Sequence, residues 1–237
     1  FLLLALGIVM LASTSGIKAD AIYGDPNFFV KRQGLWMGIA LAAGALAARI
    51  PYRLWRPAAP LLLGLALALL AAVLVPGLGV KIGGARRWFH VGGFSFQPSE
   101  LAKFSLLLAL AWWMAREKWH IGEFRRGAVL PMVMVGAVAG LIFLEPDYGT
   151  TLLSGVVGLA MLFVGGARVL YLSLFGAVGA IGFALAVLND PVRWNRIIAF
   201  LRQEQFAQTY SFQLVSSINA FIAGGPLGVG LGNSIQK

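Results

Sequence analysis

The chain of 237 residues is 59% hydrophobic and only 12% charged, and it contains no cysteine. Because soluble domains usually carry about 25% charged residues, this composition predicts a membrane protein, and it excludes disulfides and thiolate metal sites. The two histidines are too few for a three-histidine metal centre. The net charge of +10 has two interpretations that can both hold: basic loops that set membrane topology, or a site for an anionic substrate.

Apolar segments follow one another along the chain, each close to the roughly 17–25 residues that a spanning helix needs. They number seven and cover residues 1–15, 33–49, 58–75, 98–115, 128–144, 146–164 and 169–188. The first begins inside an apolar run without a methionine, so we interpret it as a truncated spanning helix and not as the end of a signal peptide. We therefore predict an all-α polytopic membrane protein whose transmembrane bundle occupies residues 1–188.

Basic residues concentrate in alternate breaks between these segments. The break at 49–56 carries three arginines, the break at 116–126 carries four basic residues, and Arg168 precedes the seventh segment. By the positive-inside rule this side of the membrane is cytoplasmic. The opposite side is also basic, and topology does not explain the cations there, which are Lys18, Lys31, Arg32, Lys81, Arg86 and Arg87.

Two carboxylates flank a proline between the fifth and sixth segments, in the sequence LIFLEPDYGTTLL. We expect Pro146 at the first position of the sixth helix and Asp147 in its first turn, where the helix dipole favours an anion. The simpler interpretation is a tight turn with a helix cap. The alternative is a functional role for Glu145 and Asp147 at the outer water boundary.

A similar pattern opens the fourth segment, in FSFQPSELAKF, where Pro98 starts the helix and Glu100 lies in its first turn. Two helix N-termini facing one aqueous edge would form an anion site. Lys103 is unexpected there, because a cation near a helix N-terminus is disfavoured and a lysine in lipid costs several kcal/mol. It either snorkels while paired with Glu100, or lines a polar cavity, and we favour the cavity.

The stretch KIGGARRWFHVGG precedes that helix and combines glycines, three cations, Trp88 and Phe89. Arginine binds phosphate in a bidentate fork, so Arg86 or Arg87 is a candidate phosphate ligand. A lipid-facing loop with an interfacial tryptophan is the alternative interpretation.

An outer segment, residues 189–237, follows the seventh apolar segment and is predicted to be an extracytoplasmic loop. Its sequence VRWNRIIAFLRQ predicts an amphipathic interfacial helix, and a second, mixed helix is predicted over 210–223. The sequence GVGLGNS matches neither a dinucleotide-binding nor a Walker loop, which excludes nucleotide binding there.

Three of these stretches together resemble the SEDS family (shape, elongation, division and sporulation) of bacterial peptidoglycan glycosyltransferases. They are GGARRWFHVGGFSFQPSELAKF, EPDYGTT and YSFQLVSSINAFIAGGPLGVGLGNSIQK. The likeness is strongest to the cell-division branch, with the elongation and sporulation branches as alternatives. It implies ten spanning helices in the bacterial cytoplasmic (inner) membrane, at the division septum, of which this chain supplies the first seven.

The resemblance also implies a reaction, in which lipid II is polymerised into glycan strands with release of a lipid diphosphate. The family's main catalytic aspartate is expected beyond Lys237, so the chain as given is expected to be inactive alone. Implied partners are a division transpeptidase of the penicillin-binding class and its activators, without nucleic acid. A lipid II flippase and a scaffold are the competing functions.

The candidate site follows from matching residues to the family's motifs. Lys103 matches the lysine of Q-P-x-E-L-x-K and is the first supporting catalytic candidate, with Glu100 as its partner. Ser95 replaces a basic residue found in many division members, and Arg86 is expected to substitute for it. No ligand cluster demands a metal, although Mg²⁺ or Mn²⁺ on a diphosphate is compatible with the chemistry. The substrate-binding candidates are Arg87, Arg86, Gln97, Ser99, Asp147, Glu145, Arg193 and Arg196.

Overall fold

The computed structural model describes residues 1–91, 94–206, 208–226 and 228–233. The end of the GLGNSIQK motif and the glycine pair after Val91 lie outside these ranges. Within them the chain forms nine α-helices: α1 (Leu2–Tyr23), α2 (Phe28–Arg49), α3 (Tyr52–Leu74), α4 (Pro98–Arg116), α5 (Leu130–Leu144), α6 (Tyr148–Val164), α7 (Val169–Leu188), α8 (Pro191–Leu201) and α9 (Phe212–Gly224). Shorter helical turns cover Lys118–His120, Phe124–Val129 and Gln203–Phe206.

Each predicted apolar segment falls on one of the first seven helices, and the prediction of a mainly helical chain is confirmed. Among the described residues, four helical stretches are both long and apolar enough to cross a membrane. They are Leu2–Tyr23, Tyr52–Leu74, Phe124–Leu144 and Val169–Leu188. The count of seven spanning helices stays a prediction.

The chain divides into two compact units, and the first contains Phe1–Arg49 together with Val187–Lys237. Here α1 packs along α2, and the link between them is closed by an ion pair of 2.8 Å between Lys31 Nζ and Asp25 Oδ2. The two helices predicted within residues 189–237 are present as α8 and α9. The Ser211 hydroxyl, just before α9, donates to the Ala199 carbonyl of α8 at 2.7 Å, which ties the two helices together.

The second unit, Ile50–Ala186, has its core where α3, α4, α5 and α6 meet. Small residues at the helix contacts allow the backbones to approach closely, as membrane helices require. Larger side chains fill the remaining space of this core, among them Leu70, Leu106, Leu110, Val138 and Ile142. Many apolar side chains on the outer faces of these helices remain exposed, as expected for a surface that meets lipid.

Close packing of α5 on α6 depends on Gly158, and this predicts the effect of a substitution. A Cβ at position 158 would lie 2.6 Å from Cγ2 of Val135, whose branched side chain has little rotamer freedom. We expect Gly158→Ala to cost about 1–3 kcal/mol of stability, which thermal unfolding in detergent measures. The matched control is Gly155→Ala on the same helix, where a Cβ meets no atom within 4 Å. Equal stability of the two variants would contradict the expectation.

A small sheet replaces the loop that we expected between α3 and α4, so the all-α prediction is wrong for this segment. Its three antiparallel strands run in the order β1 (Val80–Ile82), β2 (Ala85–Val91) and β3 (Phe94–Phe96). Gly83 and Gly84 connect β1 to β2 with φ of 60° and 88°, the left-handed conformation that a two-residue hairpin turn requires. The Gly-Gly pair between two short strand-like runs is the signal in the sequence that indicates this hairpin.

The hairpin also contains an irregularity. Val80 pairs with Trp88, whereas the next residue, Lys81, pairs with Arg86. Arg87 is therefore an extra residue on β2, which makes a β-bulge. Bulges interrupt the regular alternation of side chains and re-aim one of them, and this determines where Arg87 points.

Candidate functional site

The turn between α5 and α6 carries the two predicted carboxylates. Asp147 is the N-cap of α6: its Oδ1 accepts from the Thr150 N–H at 3.1 Å, and its carbonyl accepts from the Thr151 hydroxyl at 2.7 Å. The prediction that Pro146 opens this helix is wrong, because α6 begins at Tyr148. The aspartate side chain accepts from one of the first free N–H groups, that of Thr150, so the cap falls one residue after the proline.

Arg87 holds this turn. Its Nε donates to the Glu145 carbonyl at 2.8 Å and its Nη2 donates to the Pro146 carbonyl. Its Nη1 lies 3.7 Å from Oδ2 of Asp147, and the two side chains are only 27% and 15% exposed. The guanidinium of β2 therefore fixes the turn between two helices. The predicted role of Arg87 in holding phosphate stays a prediction, with most of its fork already engaged.

Glu145 is the most unusual group of the turn. It is completely buried, and neither of its carboxylate oxygens has a hydrogen-bond partner among the described residues. Burial, and to a lesser extent the nearby Asp147 carboxylate, raise the pKa of Glu145 from its ordinary 4.5 to about 7, although Arg87 opposes the shift. The carboxyl therefore exchanges its proton near neutral pH, and its ionised form is the disfavoured one.

The raised pKa predicts how stability depends on pH. The carboxyl has a lower pKa in the unfolded protein, so the folded protein holds the proton more tightly. The folded protein therefore loses stability as pH rises through about 7, where this proton is released. We expect Glu145→Gln, which is neutral at every pH, to gain stability over the wild type as pH rises from 5 to 8. The gain is at most about 3 kcal/mol. Thermal unfolding in detergent across this range measures it.

Asp20→Asn is the matched control for that measurement, because Asp20 is an exposed carboxylate of α1. Its pH profile should follow that of the wild type. If Glu145→Gln also follows the wild-type profile, the buried carboxyl does not control the pH dependence.

The first turns of α4 bring together the two residues predicted to act in catalysis. Lys103 Nζ lies 2.8 Å from Oε1 of Glu100, so the pairing expected from their spacing is present. The Lys103 side chain is 29% exposed and that of Glu100 is 62% exposed. Gln97 is the N-cap residue without a side-chain cap bond, and the buried Ser99 hydroxyl has no partner in the described part of the chain.

Among the described residues, two cavities of the second unit are well defined, and neither includes Lys103. The larger, about 540 Å³, lies between α5, α6 and α7 and is lined by glycines and aromatic rings, with Thr151 as its polar residue. The smaller, about 290 Å³, lies between the sheet and the α5–α6 turn and includes Lys81, Arg86 and Pro146. The polar hollow beside Lys103 therefore stays a prediction.

The two remaining candidates, Arg193 and Arg196, belong to α8 in the first unit. Arg193 Nη1 lies 3.6 Å from Oδ2 of Asp190, the residue that caps α8, and Arg196 is exposed. Their part in substrate binding stays a prediction. Among the described residues, no group of three or more His, Asp or Glu side chains is arranged to hold a metal ion.

The fold and the site define a multi-pass helical membrane protein in which a small sheet fixes a polar turn between two helices. Residues 1–237 match the FTSW_RODA_SPOVE family, described as "Cell cycle protein". The chain therefore belongs to this family, and the resemblance inferred from its motifs is confirmed.

Individual relatives agree with this assignment. A protein of Thioalkalivibrio sulfidiphilus named "Probable peptidoglycan glycosyltransferase FtsW" is 40% identical over 235 residues, which cover 99% of this chain and 59% of the relative. "Stage V sporulation protein E" of Bacillus subtilis is 37% identical over 100% of this chain and 64% of its own length. The chain thus spans about three fifths of the length of such relatives.

Solved structures show the same fold. The rod shape determining protein RodA of Thermus thermophilus has a TM-score of 0.58 and 32% identity, covering 79% of this chain and 58% of that one. A structure described as "Structural coordination of polymerization and crosslinking by a peptidoglycan synthase complex" has a TM-score of 0.68 and 32% identity. It covers 95% of this chain and 65% of that one.

Proposed function

We propose that the protein to which this chain belongs is a peptidoglycan glycosyltransferase that polymerises lipid II during septal cell-wall synthesis. The observation that carries the proposal is the match along the whole chain to relatives named "Probable peptidoglycan glycosyltransferase FtsW", at 37–40% identity for the first two. The reaction joins a sugar hydroxyl of one lipid II unit to the anomeric carbon of another and releases a lipid diphosphate.

The positive charge of several described residues supports this chemistry. Glycosyl transfer with a diphosphate leaving group needs positive charge where negative charge develops. Lys103 supplies a cation at the start of α4, oriented by Glu100 at 2.8 Å. The bulged hairpin adds cations next to the α5–α6 turn. We assign Lys103 to orienting the substrate diphosphate or the catalytic carboxylate, and Asp147 and Arg87 to holding the α5–α6 turn.

The finer arrangement belongs to the same proposal. Residues 1–188 form the first seven of ten spanning helices in the inner membrane at the septum, and residues 189–237 form an extracytoplasmic loop. The partner is a transpeptidase of the penicillin-binding class, which fits the likeness to a peptidoglycan synthase complex. An elongation-type polymerase is the second candidate, favoured by the RodA structure at 32% identity.

The decisive experiment separates an enzyme from a carrier. The complete protein is purified in detergent and incubated with labelled lipid II, where no second compartment exists. We expect long glycan strands on gel electrophoresis. Movement of lipid II across vesicles without any polymer in detergent would instead support a flippase.

A further inference from the structure

The hairpin places two cations directly opposite each other. Lys81 on β1 is the cross-strand partner of Arg86 on β2. Like charges directly opposite in an antiparallel pair are destabilising, so an anion bound between them would offset the repulsion. Within the ranges that the structure describes, neither side chain forms an ion pair with a carboxylate of the chain.

Because of the bulge, the two neighbouring arginines of β2 both lie at the α5–α6 turn. In a regular strand Arg86 and Arg87 would point to opposite faces of the sheet. Here Arg87 donates to the carbonyls of the α5–α6 turn, and Arg86 lines a cleft that includes Pro146 of the same turn. Arg87 is occupied in holding the turn, so of the two neighbouring arginines it is Arg86 that faces the cleft.

The cleft has the size and walls of a site for a small anion. Its volume of about 290 Å³ lies near the lower limit of ligand pockets, about 300 Å³, which suits a diphosphate better than a saccharide. Lys81 and Arg86 supply its charge, while Leu74 and Leu144 supply apolar walls. Lys81 is exposed and Arg86 is half-buried, so a headgroup can reach both cations from the surrounding water.

We propose that Lys81 and Arg86 form a binding site for a phosphate or diphosphate headgroup, in which Arg86 acts as a bidentate fork and Lys81 as a point charge. Lys81 was not among the candidates from the sequence, since its pairing with Arg86 depends on the hairpin register. The site rests on the proposed function only for the identity of its natural ligand, the diphosphate of a polyprenyl lipid. A phospholipid headgroup is the other source of the same chemistry.

The test is a binding measurement that needs no activity. The complete protein is reconstituted in zwitterionic nanodiscs and titrated with farnesyl diphosphate, with farnesol as the uncharged control. We expect saturable binding that is weakened about tenfold or more in Lys81→Gln and in Arg86→Gln, since each substitution removes a charge-assisted contact to the anion. Lys81→Arg keeps the charge and should keep most of the affinity.

Arg53→Gln is the matched control, because Arg53 is an exposed cation of α3 in the same unit and lines neither cavity. Its affinity for farnesyl diphosphate should equal that of the wild type. Unfolding temperatures without ligand keep the test independent of folding: Lys81→Gln and Arg86→Gln should be at least as stable as the wild type, because a repulsive pair has been removed.

Nanodiscs containing phosphatidylglycerol decide the source of the headgroup. If this lipid alone raises the unfolding temperature of the wild type but not of the two glutamine variants, the site exists and a phospholipid fills it. The proposal is overturned if neither ligand distinguishes the wild type from these variants, or if Arg53→Gln loses as much affinity as they do. Each result stands whether or not the protein polymerises lipid II, so failure of the proposed function would be seen separately.

Discussion

Lys103→Ala in the complete protein is expected to abolish glycan polymerisation while the protein remains inserted in the membrane. The lysine lies near the N-terminus of α4, paired at 2.8 Å with Glu100, where only a specific anionic partner or substrate would favour a cation. Loss of one electrostatic contact to a developing negative charge typically lowers kcat about 10²–10³-fold. Single-turnover and steady-state conversion of labelled lipid II, with membrane-fraction blotting for insertion, measures the effect.

The matched control for this prediction is Lys118→Ala, which removes an exposed lysine from the connection after α4 and should leave polymerisation unchanged. Glu100→Gln should give an intermediate loss, because it removes the partner that orients the lysine but keeps the lysine itself. Normal polymerisation by Lys103→Ala would reduce Lys103 to a snorkelling residue that is paired with its neighbour.

The second large effect is expected at Arg87. Arg87→Gln removes a hydrogen bond of 2.8 Å to the Glu145 carbonyl, another to the Pro146 carbonyl, and the cation nearest Asp147. Hydrogen bonds from a charged donor contribute about 1.5–3 kcal/mol each, and they are not fully additive, so we expect a loss of about 2–4 kcal/mol. For a chain of this size that corresponds to a fall in Tm of about 5–10 °C, measured by thermal unfolding in detergent.

Two further variants make the Arg87 prediction specific. Arg87→Lys keeps the charge but not the planar fork, so it should recover only part of the stability. Arg86→Gln removes the neighbouring cation, which makes no bond to the turn, and its Tm should not fall. Equal losses at both positions would mean that charge near the membrane surface, and not the hold on the turn, sets the stability.

Helix placement was largely predictable because it depends on local sequence. Runs of apolar residues between polar breaks located α1–α7, and α7 was placed at its observed bounds, Val169–Leu188. The spacing of three residues between Glu100 and Lys103 was enough to predict their contact, since one helical turn brings such residues together.

The parts that could not be predicted depend on contacts between distant residues. Arg87 and Glu145 are 58 residues apart, and only the packed hairpin shows that one donates to the other. The burial of Glu145 has the same origin, since its sequence position suggested a water-exposed turn. The hairpin is hard to predict because arginines and aromatic rings beside glycines are equally typical of an interfacial loop.

The bulged hairpin also makes chain length, and not only residue identity, a constraint on this part of the molecule. Because one additional residue on β2 aims Arg87 at the α5–α6 turn, deleting a residue that flanks it, Arg86 or Trp88, would restore regular pairing and turn the guanidinium away. Insertions at Gly83 and Gly84 would instead lengthen only the tip of the hairpin and leave the contacts of Arg87 with the α5–α6 turn unchanged. Insertions should therefore be tolerated at the tip of the hairpin, whereas insertions and deletions within β2 should not.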